Sequence, residues 1–360
     1  MPAAALSLHQ KPAESPEESH PEPKRLPPKE RKRWEPRKLS NEDLAGILEQ
    51  GPHDGFHRMA ARTWECSDVL KLVEHVNTST GEISYRVHGQ KCHVRHCPIC
   101  QSARAYKLQK QFKEILPVLQ ERVKNGAFLL LTLTVENCPV DQLRATLADM
   151  NKAWQRLIKR QEFKIVRGWM RGTEVTQGKN GPMMAHPHFH ALLFVPSYYF
   201  AGKSYINHAR WRELWQECAR LDYAPSVDIR RVKTPEGGSQ EAIKPATYSV
   251  KPSDHTDNAQ WFYAFHEQVS GLRFLATGGL IKELIGKTQE IGTKDDIEGA
   301  SEPSAESVPT GESLYFRRKR TDKKDDLLPR EKRRYQFSHR EIEDDPNPFY
   351  DEGTADDHQG

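Results

Sequence analysis

The segment His186-Pro187-His188-Phe189-His190 runs straight into an apolar stretch, Ala191-Leu192-Leu193-Phe194-Val195. A β-strand turns successive side chains to opposite faces. His186, His188 and His190 would therefore share one face, and Pro187 and Phe189 the other. Imidazoles that converge on one point make a metal site. On a buried sheet such a metal serves chemistry more often than scaffolding. Surface histidines on an edge strand are the plainer alternative.

The flanking residues supply a sheet for this strand. Residues 128–135 form a continuous apolar and β-branched run, which reads as a buried strand. Residues 140–160 carry helical periodicity, with Leu143, Leu147, Met150, Trp154 and Leu157 on one face. Residues 166–176 read as a second strand. A loop with Gly178, Asn180, Gly181 and Pro182 joins it to the histidine segment as a hairpin. Residues 206–221 form an amphipathic helix and 226–232 a further strand. Residues 241–251 read as a helix, with Pro245 near its first turn, where proline is tolerated. The order β-α-β-β-α-β-α predicts an α+β domain: an antiparallel sheet with flanking helices.

The charge balance, 54 Lys+Arg against 50 Asp+Glu, says little about partners; its distribution says more. Residues 1–41 are rich in Pro, Glu, Lys and Arg, and residues 287–360 in charge, Ser, Pro and Asp. Both read as disordered tails, because such segments bury too little apolar surface to offset their ordering entropy. Between them the expected organisation is a zinc-binding segment at 42–125 and a catalytic domain at 126–286. Basic blocks at Arg317-Arg318-Lys319-Arg320 and Lys332-Arg333-Arg334 read as solvated charge, or as phosphate contacts beside a nucleic-acid enzyme. No apolar run is long enough to span a bilayer, and no secretion signal is visible. The expectation is a cytoplasmic protein without membrane contact.

Six cysteines are present, clustered rather than spread. Cys92, Cys97 and Cys100 include a C-x-x-C pair, a spacing that grips one zinc ion from a tight turn. Cys66 is the natural fourth ligand of a structural zinc site, with His93 and His96 as rivals. Free thiols in a core are the alternative. Downstream, Tyr248 and Lys251 lie three apart and would share a helical face. A tyrosine becomes a useful nucleophile when a cation stabilises its phenolate and a metal polarises a phosphate. Taken alone, this pair carries almost no signal.

Three segments occur in order: Leu131-Thr-Leu-Thr-Val-Glu-Asn137, His186-Pro-His-Phe-His190 and Tyr248-Ser-Val-Lys251, with the cysteine cluster before them. As a set they resemble the rolling-circle replication initiators of small plasmids, within the HUH endonuclease group. Gly172-Thr-Glu-Val-Thr176 and the run from Arg273 to Lys282 are similar to that family as well. The likeness covers residues 58–285.

The resemblance implies an HUH endonuclease-like fold and a mechanism. His188 and His190 would hold Mg²⁺ or Mn²⁺, with His186 beside them and Glu174 as an oxygen ligand or a hairpin ion pair. Tyr248 would attack a phosphodiester of single-stranded or extruded origin DNA, giving a 5′-phosphotyrosyl enzyme and a primer 3′-OH. In plasmid relatives a glutamate four residues before the tyrosine serves termination. Here that position is Lys244, so either Glu241 takes the role or termination differs. Expected partners are origin DNA, a host helicase and polymerase, and a second subunit. An HUH relaxase or transposase, and a non-catalytic DNA-binding regulator, are the competing readings.

Overall fold

The computed structural model describes residues 25–232, 257–288, 296–297, 303–304, 306–321 and 326–338. Helices α1 (Pro28–Glu49) and α2 (Asp54–Glu65) lead into a hairpin of β1 (Val69–Asn77) and β2 (Ile83–Gly89). Helix α3 (Pro98–Arg122) begins with proline at N1, where the missing N–H removes no helical bond. There follow β3 (Ala127–Thr134), β4 (Cys138–Pro139), α4 (Leu143–Leu157), β5 (Gly168–Gln177) and β6 (Met184–Val195). Next come α5 (His208–Ala219), β7 (Val227–Arg231), α6 (Ala259–Val269), β8 (Leu275–Gly278) and α7 (Gly279–Ile285). Strands β9 (Asp296–Ile297), β10 (Ser307–Lys319) and β11 (Arg334–Phe337) complete the described chain.

The strands form two antiparallel sheets with helices packed on them, an α+β architecture. One sheet has the order β7-β3-β6-β5-β8, with β4 paired to the start of β6. The histidine strand is thus central. Pro187 and Phe189 lie on its helix-covered face. Phe189 packs edge-on against Trp154 of α4 and Trp215 of α5. On the same face Leu131, Leu133, Val175 and Leu193 join the main core. Each such buried side chain contributes about 1.5–3 kcal/mol. The other face is divided. Phe128, Leu130, Met170, Leu192 and Phe194 pack under α3 and α7, through Leu108, Phe112, Ile115, Ile281 and Leu284. The remaining half carries the histidines.

At the junction of β8 and α7 the chain passes so close to β5 that only glycine fits. A Cβ on Gly278 would collide with the Trp169 indole, and one on Gly279, at φ +57°, with the Arg167 carbonyl.

The second sheet has the order β11-β10-β1-β2-β9. It differs from the expectation of disordered tails at 1–41 and 287–360 only in the described stretches of those tails; residues 1–24 and 339–360 lie outside the described residues. Residues 28–41 belong to α1, whose Trp34 is buried. Strands β10 and β11 pair with β1 and with each other. The reason is that their charge is internally matched. Buried Lys38 donates to the carbonyls of Trp64 and Cys66, both at 2.7 Å, and pairs with Asp68 at 2.9 Å. Buried Arg318 pairs with Glu42. Phe316 and Tyr335 supply the apolar face. The zinc-binding unit expected at 42–125 accordingly borrows strands from the C-terminal region, and its α3 also covers the histidine sheet. Among the described residues, no helix is long and apolar enough to cross a membrane.

Candidate metal centres

Register places the first centre. Glu174 of β5 stands opposite His188 of β6, and Gly172, without a side chain, stands opposite His190. The Glu174 carboxylate can therefore reach both rings. Its Oε2 lies 3.0 Å from His188 Nε2 and 2.9 Å from His190 Nε2. The potential ligand atoms of the three residues lie within 4.8 Å of one another. Burial alone would raise the Glu174 carboxyl. Hydrogen bonds and charge from the two histidines outweigh burial and pull it down to about 2. One carboxylate and two imidazoles, on rigid adjacent strands with their Nε2 atoms turned to one spot, fit a divalent cation that accepts mixed N and O ligands.

Supporting contacts come from Thr132 of β3 and from the histidine strand itself. Thr132 Oγ1 lies 3.2 Å from His190 Nδ1. The His188 Nδ1 is 3.2 Å from the His186 carbonyl. Groups behind the imidazoles orient the rings toward a ligand. His186 is not drawn into the triad: its Nδ1 meets Asn137 Oδ1 at 2.7 Å. Burial and the neighbouring His188 push the His186 imidazole below its ordinary value. Sequence reasoning singled out the segment containing Thr132 and Asn137 but gave neither residue a role. It also passed over Asp228, an exposed carboxylate opposite Thr132 on the histidine face. The alternation of β7 against β3 was the available signal.

The second centre is built from Cys66, Cys92, Cys97 and Cys100, all buried. Cys66 ends α2, and Cys97 is the N-cap of α3. The Cys66–Cys100, Cys92–Cys100 and Cys66–Cys97 sulfur separations are 3.8, 3.6 and 3.6 Å. A disulfide needs about 2.05 Å. Four thiolates about 2.3 Å from a tetrahedral zinc stand about 3.8 Å apart, so the set fits a closed structural site. Cys100 is held well below the usual thiol range by hydrogen bonds from Cys66, Cys92 and Cys97. Asn41 fixes the shell: its Oδ1 is 2.9 Å from Cys97 Sγ, and its Nδ2 donates to the Thr63 carbonyl at 2.6 Å. The rival ligands stand elsewhere. His96 faces His266 at 3.1 Å, and His93 is exposed. Tyr248, Lys251, Glu241 and Lys244 lie outside the described residues.

Comparison with known proteins adds a family. The family described as "Replication protein" matches residues 85–326. A "Protein rep" of Streptococcus pneumoniae is 32% identical over 262 residues, 71% of this chain and 79% of its own length. One from Lentilactobacillus hilgardii is 32% identical over 264 residues, covering 70% and 81%. One from Bacillus amyloliquefaciens is 31% identical over 252 residues, covering 64% and 73%. No solved structure matches.

Proposed function

The chain belongs to the replication-protein family of plasmid replication initiators, and on that premise we propose that it starts rolling-circle replication by nicking and rejoining origin DNA. The observation that carries the reading is the Glu174-His188-His190 triad, whose ligand atoms lie within 4.8 Å of one another. Mg²⁺ or Mn²⁺ bound there would neutralise charge developing on the phosphoryl oxygens.

The protein's own groups divide the work. Glu174, His188 and His190 hold the cation, and Thr132 keeps the His190 ring in place. Tyr248 is the nucleophile and Lys251 the cation that favours its phenolate. Its oxygen bonds to the scissile phosphorus while the bond from phosphorus to the 3′ oxygen breaks. That oxygen takes a proton and becomes the 3′-OH from which synthesis begins. The 5′ phosphate stays on Tyr248 as a diester, so the reverse attack rejoins the strand without ATP. Glu241 would activate water for the terminating cleavage. The four cysteines hold structural zinc, away from the chemical step. The natural substrate is single-stranded or extruded origin DNA in the cytoplasm; a host helicase and polymerase act on the product, and a second subunit is available for termination.

The test is a covalent-adduct gel with single-stranded origin DNA and Mn²⁺. Tyr248→Phe should give no adduct while retaining origin binding. An adduct at the parent level would sink the tyrosine assignment.

A further inference from the structure

The basic blocks of the C-terminal strands are not uniform solvated charge. Alternation sorts them. Arg318 turns inward to Glu42, and Arg333 and Arg320 meet Glu42 and Asp68. Arg317, Lys319 and Arg334 turn the other way. Register sets Arg317 beside Gln336, Lys319 beside Arg334, and Lys71 between Tyr315 and His88. Arg86 follows opposite Val73. One face of the sheet thus carries Lys71, Arg86, Arg317, Lys319 and Arg334. None of these five meets a carboxylate among the described residues. Glu74 and Glu312 lie elsewhere, around Tyr85.

We propose that this outer face, whose Arg317, Lys319, Arg334, Lys71 and Arg86 meet no carboxylate among the described residues, docks the phosphate backbone of duplex DNA beside the nick site. The proposal rests on the reading of the protein as an origin-nicking initiator and supplies its second DNA contact. From Ser313 to Lys319, β10 runs about 20 Å. Over that length one strand of a duplex presents about six phosphates. Single-strand binders instead line a groove with stacking aromatics. Here Tyr315 is the aromatic on this face among the described residues, and the Lys71 ammonium lies 5.4 Å over its ring. The face offers charge without a stacking platform, which fits a duplex. Inward pairing of the alternate arginines keeps the strand folded while the outward ones stay available.

The experiment measures fluorescence anisotropy of the full chain against salt concentration. One probe is a duplex carrying the origin sequence; the other is a single-stranded oligonucleotide carrying the nick site. The variant combines Arg317→Ser, Lys319→Ser and Arg334→Ser. Its duplex affinity should fall roughly tenfold or more, and the slope of log affinity against log salt should lessen by about 3. Arg86→Ser alone should lessen it by about 1. Single-strand affinity, adduct yield and the thermal melt should not change. Unchanged duplex affinity and slope in a folded variant would overturn the proposal. So would an equal loss of single-strand affinity, which would make the face a single-strand surface. A parent protein that forms no adduct would sink the nicking reading, and the salt slopes would still decide the docking face.

Discussion

Glu42 of α1 and Arg318 of β10 are 276 positions apart in the sequence, yet they form an ion pair closed off from water. Arg318 Nε donates to Glu42 Oε1 at 2.7 Å. Arg333 reaches the other carboxylate oxygen at 3.3 Å. The pair clips the C-terminal strands to the first helix, over the turn that carries Cys66.

Removing one partner leaves a buried charge alone. Glu42→Ala should destabilise the protein by about 3–5 kcal/mol. Replacing both partners, as in Glu42→Leu with Arg318→Met, should cost much less. Urea unfolding of the two variants checks this, and equal losses would contradict it.

At the histidine face, Glu174→Gln, His188→Ala and His190→Ala should each lower Mn²⁺-dependent nicking by orders of magnitude. His186→Ala should cost less, because its ring is turned to Asn137. Isothermal titration with Mn²⁺ alone gives a readout independent of DNA. A His186 variant as inactive as the other two would make all three histidines ligands.

Thr132→Val keeps the shape of the side chain and removes the hydroxyl beside His190. Loss of such a supporting contact should weaken Mn²⁺ binding about 10–100-fold. Folding should be little affected, and a thermal melt separates the two effects.

Cys97→Ser and Cys100→Ser should each lose zinc and lower the melting temperature, because structural zinc contributes folding free energy directly. Elemental analysis of protein purified without chelator checks the metal. Zinc-free wild-type protein with an unaltered melt would reduce the cluster to ordinary buried thiols.

The Glu174 carboxyl predicts a pH dependence for metal-free protein. Its folded value, about 2, lies below that of the unfolded chain. Its contribution is therefore present above the unfolded value of about 4.3 and is lost as pH falls from there toward 2. Melts of wild type and Glu174→Gln should differ above that window and converge below it.

Local patterning alone determined the histidine strand, the hairpin that brings Glu174 opposite His188, and the C-x-x-C grip. Each depends on residues a few positions apart, where strand alternation or turn spacing fixes which side chains share a face. The tertiary structure decided what residues 28–41, 307–321 and 326–337 do. Their composition is that of disordered segments, and their order rests on partners far along the chain: Lys38 with Asp68, Glu42 with Arg318, Phe316 and Tyr335 on the inner face. The tertiary structure also selected Cys66 over His96 as the fourth cysteine-cluster member and turned His186 away to Asn137. A charged segment folds when burial and matched charge together outweigh its ordering entropy, and no local window of sequence contains the groups that supply the match.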